Sequence, residues 1–165
     1  RVSKKYNGNE NAQKIFYAIA ALLNNGVSVP IGFETGSKIK LNDLSSFSFD
    51  FEHEEFDIKD YIKKINDIKS SYTIFSEEND IYYLSQKNEN IFALKKINKE
   101  KNEFAILIAN LNFSNSEKVV LNDIFYIIES SNIIDISPDY TETINTKNYE
   151  KTLQAGEIRI LYSKK

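Results

Sequence analysis

Cysteine, methionine and tryptophan are all absent from the 165 residues, histidine occurs once, proline twice and glycine five times. Without cysteine there is neither a disulfide framework nor a thiolate metal site. A single histidine cannot supply the spaced pair from one helix face on which zinc sites usually draw. No apolar run approaches the ~20 residues of a membrane helix, so no membrane segment is expected. A basic stripe is missing as well. The 24 acidic and 21 basic residues, giving a net charge of −3, are mixed along the chain, which argues against nucleic acid as a partner. No cofactor is expected, and the sequence carries no compartment signal, with a cytoplasmic location as the default.

What is present suffices for a globular fold, since 41% of the residues are hydrophobic and a chain of this length buries a real core. One domain or two small ones fit. Ile15, Ile19, Leu22 and Leu23 recur at helical spacing, with Ala18, Ala20 and Ala21 between them permitting close packing and Asn9 or Asn11 as the cap. The run Asn24-Asn25-Gly26-Val27-Ser28-Val29-Pro30-Ile31-Gly32-Phe33-Glu34-Thr35-Gly36 then reads as a helix stop, a short buried strand over Val27–Ile31 and a shaped loop. Gly26 is expected to be the left-handed residue that ends the helix, and Gly32 and Gly36 to turn the backbone around Phe33 and Glu34. Ser37 to Glu55 is polar and irregular, and Phe47, Phe49, Phe51 and Phe56 are expected to tack it onto a surface. A second helix begins at Asp57, which can accept from the following amides, with Asp60 in its first turn and Ile58, Ile62, Ile65 and Ile68 as its apolar stripe.

Beyond residue 72 the apolar period shortens to two. Strands are expected near Ile81–Ser85, Ile91–Asn98, Glu103–Asn110, Ser116–Leu121, Ile124–Ser130, Ile133–Ile136 and Gly156–Ser163, with Ile144–Tyr149 as an edge. Short strands separated by regular turns argue an antiparallel sandwich. Glu103–Asn110 is apolar on both faces, as a central strand covered on both sides would be.

The order helix, Gly-(Ile/Val)-Pro strand and Gly-x-Glu-x-Gly loop resembles the eighth-strand region of the alpha-amylase superfamily of glycoside hydrolases and transglycosylases. Phe56-Asp57-Ile58-Lys59-Asp60-Tyr61-Ile62-Lys63-Lys64-Ile65-Asn66-Asp67-Ile68-Lys69 is similar to that family's last barrel helix, and Gly156-Glu157-Ile158-Arg159-Ile160-Leu161 to the last strand of its C-terminal β-domain. The resemblance implies an α+β chain. Residues 1–72 would be a two-helix remnant of a (β/α)8 barrel, and residues 73–165 a C-terminal antiparallel β-sandwich that stabilises it. It also implies an α-glucan as the substrate of the whole protein. The family's nucleophilic aspartate, acid glutamate and third aspartate come from the fourth, fifth and seventh strands, upstream of everything seen here. Retaining chemistry needs two carboxyls roughly 5–5.5 Å apart, and no element of this chain stands in for them. The chain by itself is therefore expected to lack catalysis, and no catalytic residue is assigned.

Barrel enzymes place their sites at the C-terminal ends of strands, which makes Phe33 and Glu34 the candidates for the substrate groove. The bland alternative is a ring packed into the barrel mouth and a carboxylate that caps or pairs with a neighbour. Glu52-His53-Glu54-Glu55 groups titratable side chains, but consecutive residues cannot converge on one ion, and a solvated acidic loop is the expected reading, with no metal. Tyr82, Tyr83, Tyr126, Tyr140 and Tyr149 are the rings available for stacking on sugar, with core-edge packing as their ordinary role. Val27–Ile31 would lack neighbours on both sides and must be exposed, melted or paired with another copy, so self-association is a further expectation. Two other parents fit the residues. One is a maltosyltransferase-type transglycosylase, suggested by the Pro-Ile-Gly-Phe-Glu spelling, and the other a non-catalytic interaction module.

Overall fold

The computed structural model describes residues 1–39 and 54–165. The expectations for Phe47, Phe49, Phe51, Glu52 and His53 lie outside the described residues. A short helix α1 (Val2–Lys5) precedes α2 (Glu10–Leu23), and α3 (Lys59–Ser71) runs into a 3-10 turn at Thr73–Phe75. The strands are β1 (Asp80–Tyr83), β2 (Ile91–Asn98), β3 (Glu103–Asn110), β4 (Glu117–Leu121), β5 (Ile133–Asp135), β6 (Glu142–Ile144), β7 (Tyr149–Leu153) and β8 (Ile158–Lys164), with a one-turn helix α4 (Ile124–Ile127) between β4 and β5. All recorded strand pairs are antiparallel. Six strands form one sheet in the order β1-β2-β3-β8-β5-β6, and β4 and β7 form a second. The architecture is α+β with a sandwich-like pair of sheets, as the residue pattern predicts.

The layers follow from the pleat of β3, whose eight residues are all buried. Successive side chains point to opposite faces. Ala105, Leu107 and Ala109 join α2 and α3 in one core with Ile15, Ala18, Ile65 and Ile160. Phe104, Ile106 and Ile108 join the smaller sheet in another, with Val119, Leu121, Tyr149 and Leu153. Register fixes this division, for Leu107 stands opposite both Leu94 and Ile160. A slip of one residue would move each set to the wrong layer. Burying each such aliphatic side chain contributes about 1.5–3 kcal/mol.

The helices form as their sequences require. Asn9 accepts from the Ala12 amide (2.9 Å) and caps α2. Asp57 accepts from the Lys59 amide (2.8 Å) just ahead of α3. Ile58 and Ile65 are buried, and Ile62 and Ile68 pack against the same core.

Four local expectations are overturned. Val27–Ile31 forms no strand: Val29 is 40% and Ile31 63% exposed, because an extended segment with no neighbouring strand has nothing to complete its backbone hydrogen bonds. Gly26 does not take a left-handed conformation. Asn24 ends α2 in extended geometry, and its side chain returns a hydrogen bond to the Ala20 carbonyl (3.1 Å). The Ile124–Ser130 run is helical at its start. Asp123 takes a positive φ of 52° and accepts from the Tyr126 amide (3.3 Å), winding the chain so that Ile124 and Ile128 face inward together. Finally, 144–149 is not one edge strand, since Ile144 ends β6 in the large sheet and Tyr149 begins β7 in the small one.

Candidate functional site

Phe33 and Glu34 lie in a turn between α2 and α3 that is fixed from several sides. The Phe33 amide donates to Pro30 O (3.0 Å), and the Ser37 amide to Gly32 O (2.8 Å). Gly32 and Gly36 have φ of 76° and 81°, which only glycine adopts without strain. A Cβ on Gly36 would come within 2.7 Å of the Phe56 ring. The turn is stitched to the approach of α3, where the Glu55 amide donates to Thr35 O (3.1 Å) and the Ile58 amide to Glu34 O (3.0 Å).

The two candidate side chains diverge. Phe33 is 8% exposed and packs in the helix-side core, its ring centroid 6.1 Å from that of Tyr17. Glu34 is half-buried, and its carboxylate has no hydrogen bond or ion pair among the described residues. It lies close enough to Lys59 to help hold that ammonium above its usual pKa, behind the larger effects of Asp57 and Glu54. Asp57 is itself held below the usual carboxylate range by the Lys59 amide and ammonium, a role at the start of a helix. Among the described residues no group of three or more His, Cys, Asp or Glu side chains could hold a metal ion.

A residue that the sequence pattern did not single out holds the turn from below. Gln13, on the buried face of α2, donates from Nε2 to Phe33 O (2.6 Å) and accepts from Ser3 Oγ (3.2 Å). The visible signal is an amide inside an apolar helical stripe, where a buried polar group requires a partner. Tyr17 and Asn66 then join α2 to α3 through a 2.7 Å hydrogen bond. The arrangement is a rigid loop that presents one unpartnered carboxylate. It can accept hydrogen bonds from a hydroxylated ligand, but it supplies no second carboxyl with which to divide acid and nucleophile roles.

Two helices thus pack on one face of an antiparallel sheet and are joined through a glycine-flanked acidic turn. The fold of the chain is that of the C-terminal part of alpha-amylase-family glycoside hydrolases. It is similar to a maltogenic alpha-amylase from Thermotoga neapolitana, with a TM-score of 0.71 and 18% identity over 100% of this chain and 39% of that one. It is also similar to the trehalose-6-phosphate hydrolase of Bacillus licheniformis, with a TM-score of 0.50 and 16% identity over 66% of this chain and 19% of that one. The chain thus spans well under half the length of either enzyme. No family model matches it, and no curated protein is significantly similar to it.

Proposed function

We propose that this chain is the non-catalytic C-terminal part of an α-glucan-active enzyme of the alpha-amylase type, in which residues 1–72 complete the catalytic barrel and residues 73–165 form the β-domain that covers its last helices. The observation that carries the reading is the superposition of the whole chain, helices and both sheets together, on a maltogenic amylase. The exposed Val29 and Ile31 fit it, for a parallel barrel strand is buried on both sides once its neighbours are present. In the complete enzyme Glu34 borders the sugar groove as a hydrogen-bond acceptor, and Phe33 supports it from beneath. The catalytic carboxyls are upstream of Arg1. The Pro30-Ile31-Gly32-Phe33-Glu34 spelling favours, as a second reading, a maltosyltransferase-type parent that transfers rather than hydrolyses.

Reading the gene upstream of the Arg1 codon tests this. An aspartate, a glutamate and an Asn-His-Asp element on successive predicted barrel strands are expected, together with release of reducing sugar from maltoheptaose by the extended protein. A start codon or an unrelated domain at that position would overturn it.

A further inference from the structure

The β5–β6 connection is built more firmly than a surface loop requires. The Tyr140 amide donates to Ser137 O (3.0 Å), and Asp139 has a φ of 72°. This is a turn with Pro138 first and Asp139 at the position where glycine is usual. A non-glycine residue held there stores strain that the surroundings must support. The support is a buried polar network. Asp135 accepts from the Ser137 amide (2.9 Å), from Ser137 Oγ and from Arg159 Nη1 (3.1 Å), while Ser137 Oγ accepts from the Ile160 amide (2.8 Å). Arg159 Nε lies 2.7 Å from Glu157 Oε1, out of line for a hydrogen bond.

This network holds the Tyr140 ring flat. The Arg159 guanidinium sits 3.5 Å from the ring centroid, and Tyr140 is nevertheless 46% exposed. Depressions of about 250 and 470 Å³ flank the turn and share Pro138, Asp139 and Tyr140. The smaller adds Gln154 and Glu157, together with the Tyr61 hydroxyl, which is buried without a hydrogen-bond partner. The larger adds Asp67 and Lys64, whose ammonium is paired with the Asp139 carboxylate. One flat ring backed by a cation, with carboxylate, amide and ammonium groups along both margins, matches a pyranose. The C–H face of the sugar lies on the ring and its equatorial hydroxyls reach the polar margins.

We propose that the Pro138–Tyr140 turn is a carbohydrate-contact site that binds a linear α-glucan chain outside the barrel groove, with Tyr140 as the stacking platform and Asp139, through the carboxylate oxygen not paired with Lys64, as a hydroxyl acceptor. The choice of an α-linked glucan rests on the proposed function, whereas the site rests on its own geometry. The test is a ¹H–¹⁵N NMR titration of the 165-residue protein with maltoheptaose and, in parallel, cellohexaose. Saturable shifts at residues 137–142 and 154–159 with maltoheptaose are expected. Tyr140→Ala should weaken binding by about fivefold or more, with the remaining amide positions unchanged. Asp139→Gly suits the turn but also breaks the ion pair with Lys64, so Lys64→Met is measured beside it, and a loss of affinity in Asp139→Gly that Lys64→Met does not reproduce reports the carboxylate. Saturation by cellohexaose alone would keep the site and sink the α-glucan reading. Maltoheptaose shifts elsewhere, unaffected by Tyr140→Ala, would sink the site and keep that reading. No shift at 137–142 with either sugar would overturn the proposal.

Discussion

Lys96 lies in β2 on the face covered by α2 and has no accessible surface. Its Nζ donates to Leu22 O (3.1 Å) and Leu23 O (3.2 Å), carbonyls at the C-terminal end of α2, where the helix leaves acceptors open and carries negative partial charge. Lys69 reaches the neighbouring Ala21 and Asn24 carbonyls from α3. Among the described residues no carboxylate pairs with either ammonium. Burial first, and Lys69 second, push Lys96 from 10.5 down to about 8, and burial lowers Lys69 as well. Between these two values the unfolded chain binds more protons than the folded one, so stability rises with pH across that window, by up to about 3 kcal/mol. Above about pH 10 the trend reverses, because burial holds the Tyr61, Tyr149 and Tyr162 hydroxyls protonated in the folded state only. The urea midpoint should therefore be higher at about pH 9.5 than at about pH 7.5, and Lys96→Met should flatten the rise. A flat profile in the unaltered protein would contradict a buried ammonium. Two glycines give a second contrast at this scale. Gly36→Ala puts a Cβ into the Phe56 ring at a φ of 81° and is expected to cost about 1–3 kcal/mol. Gly26→Ala meets nothing within 4 Å and should stay within about 0.5 kcal/mol. Chemical denaturation of both variants checks the pair.

At the scale of elements, β3 is the wall between two cores. Leu107→Ala opens a cavity toward α2 and α3, and Ile106→Ala opens one toward the small sheet. Each should lose about 2–5 kcal/mol, because neither layer can collapse onto a sheet held in register from both sides. The segment after α2 behaves in the opposite way. Ile31, at 63% exposed, should tolerate serine with a change of about 0.5 kcal/mol or less. A loss near that of Leu107→Ala would mean that Val27–Ile31 is packed after all. The difference between these two apolar runs is their company. One has hydrogen-bonded strands on both sides, and the other has none.

Across the whole molecule, α3 and the sheet share one hydrophobic core, and so they should open together. Amides of Tyr61–Lys69 should exchange with protection comparable to that of Ala105–Ile108, since cooperative units follow shared burial. Exchange of the helix at the rate of an exposed segment, with the sheet still protected, would show that the two are uncoupled. Only the core-facing amides beyond the first turn of the helix bear on this, because the first turn lacks intrahelical acceptors. The residues behind this coupling are Ile58, Ile62, Ile65 and Ile68, the apolar stripe of α3, which share their core with the sheet.

The sequence by itself determined the elements whose signal is local and periodic. The apolar stripes of α2 and α3 came from helical spacing, the cap of α2 from Asn9, and the approach to α3 from Asp57, which accepts from the Lys59 amide. The doubly apolar run of β3 announced a strand buried on both sides. Of the candidate site, the glycine-flanked turn around Phe33 and Glu34 was legible, because positive φ and close approach leave glycine as the residue that fits. Tertiary structure alone decided the rest. Val27–Ile31 has the composition of a strand but no partner, and Ile124–Ser130 has the same composition but is wound by the left-handed Asp123. Gln13, Lys96 and the Asp135–Arg159 network were hidden because a buried polar residue is identified by the partner that satisfies it. Those partners are separated along the chain by 20 residues for Gln13 and Phe33, 74 for Lys96 and Leu22, and 24 for Arg159 and Asp135.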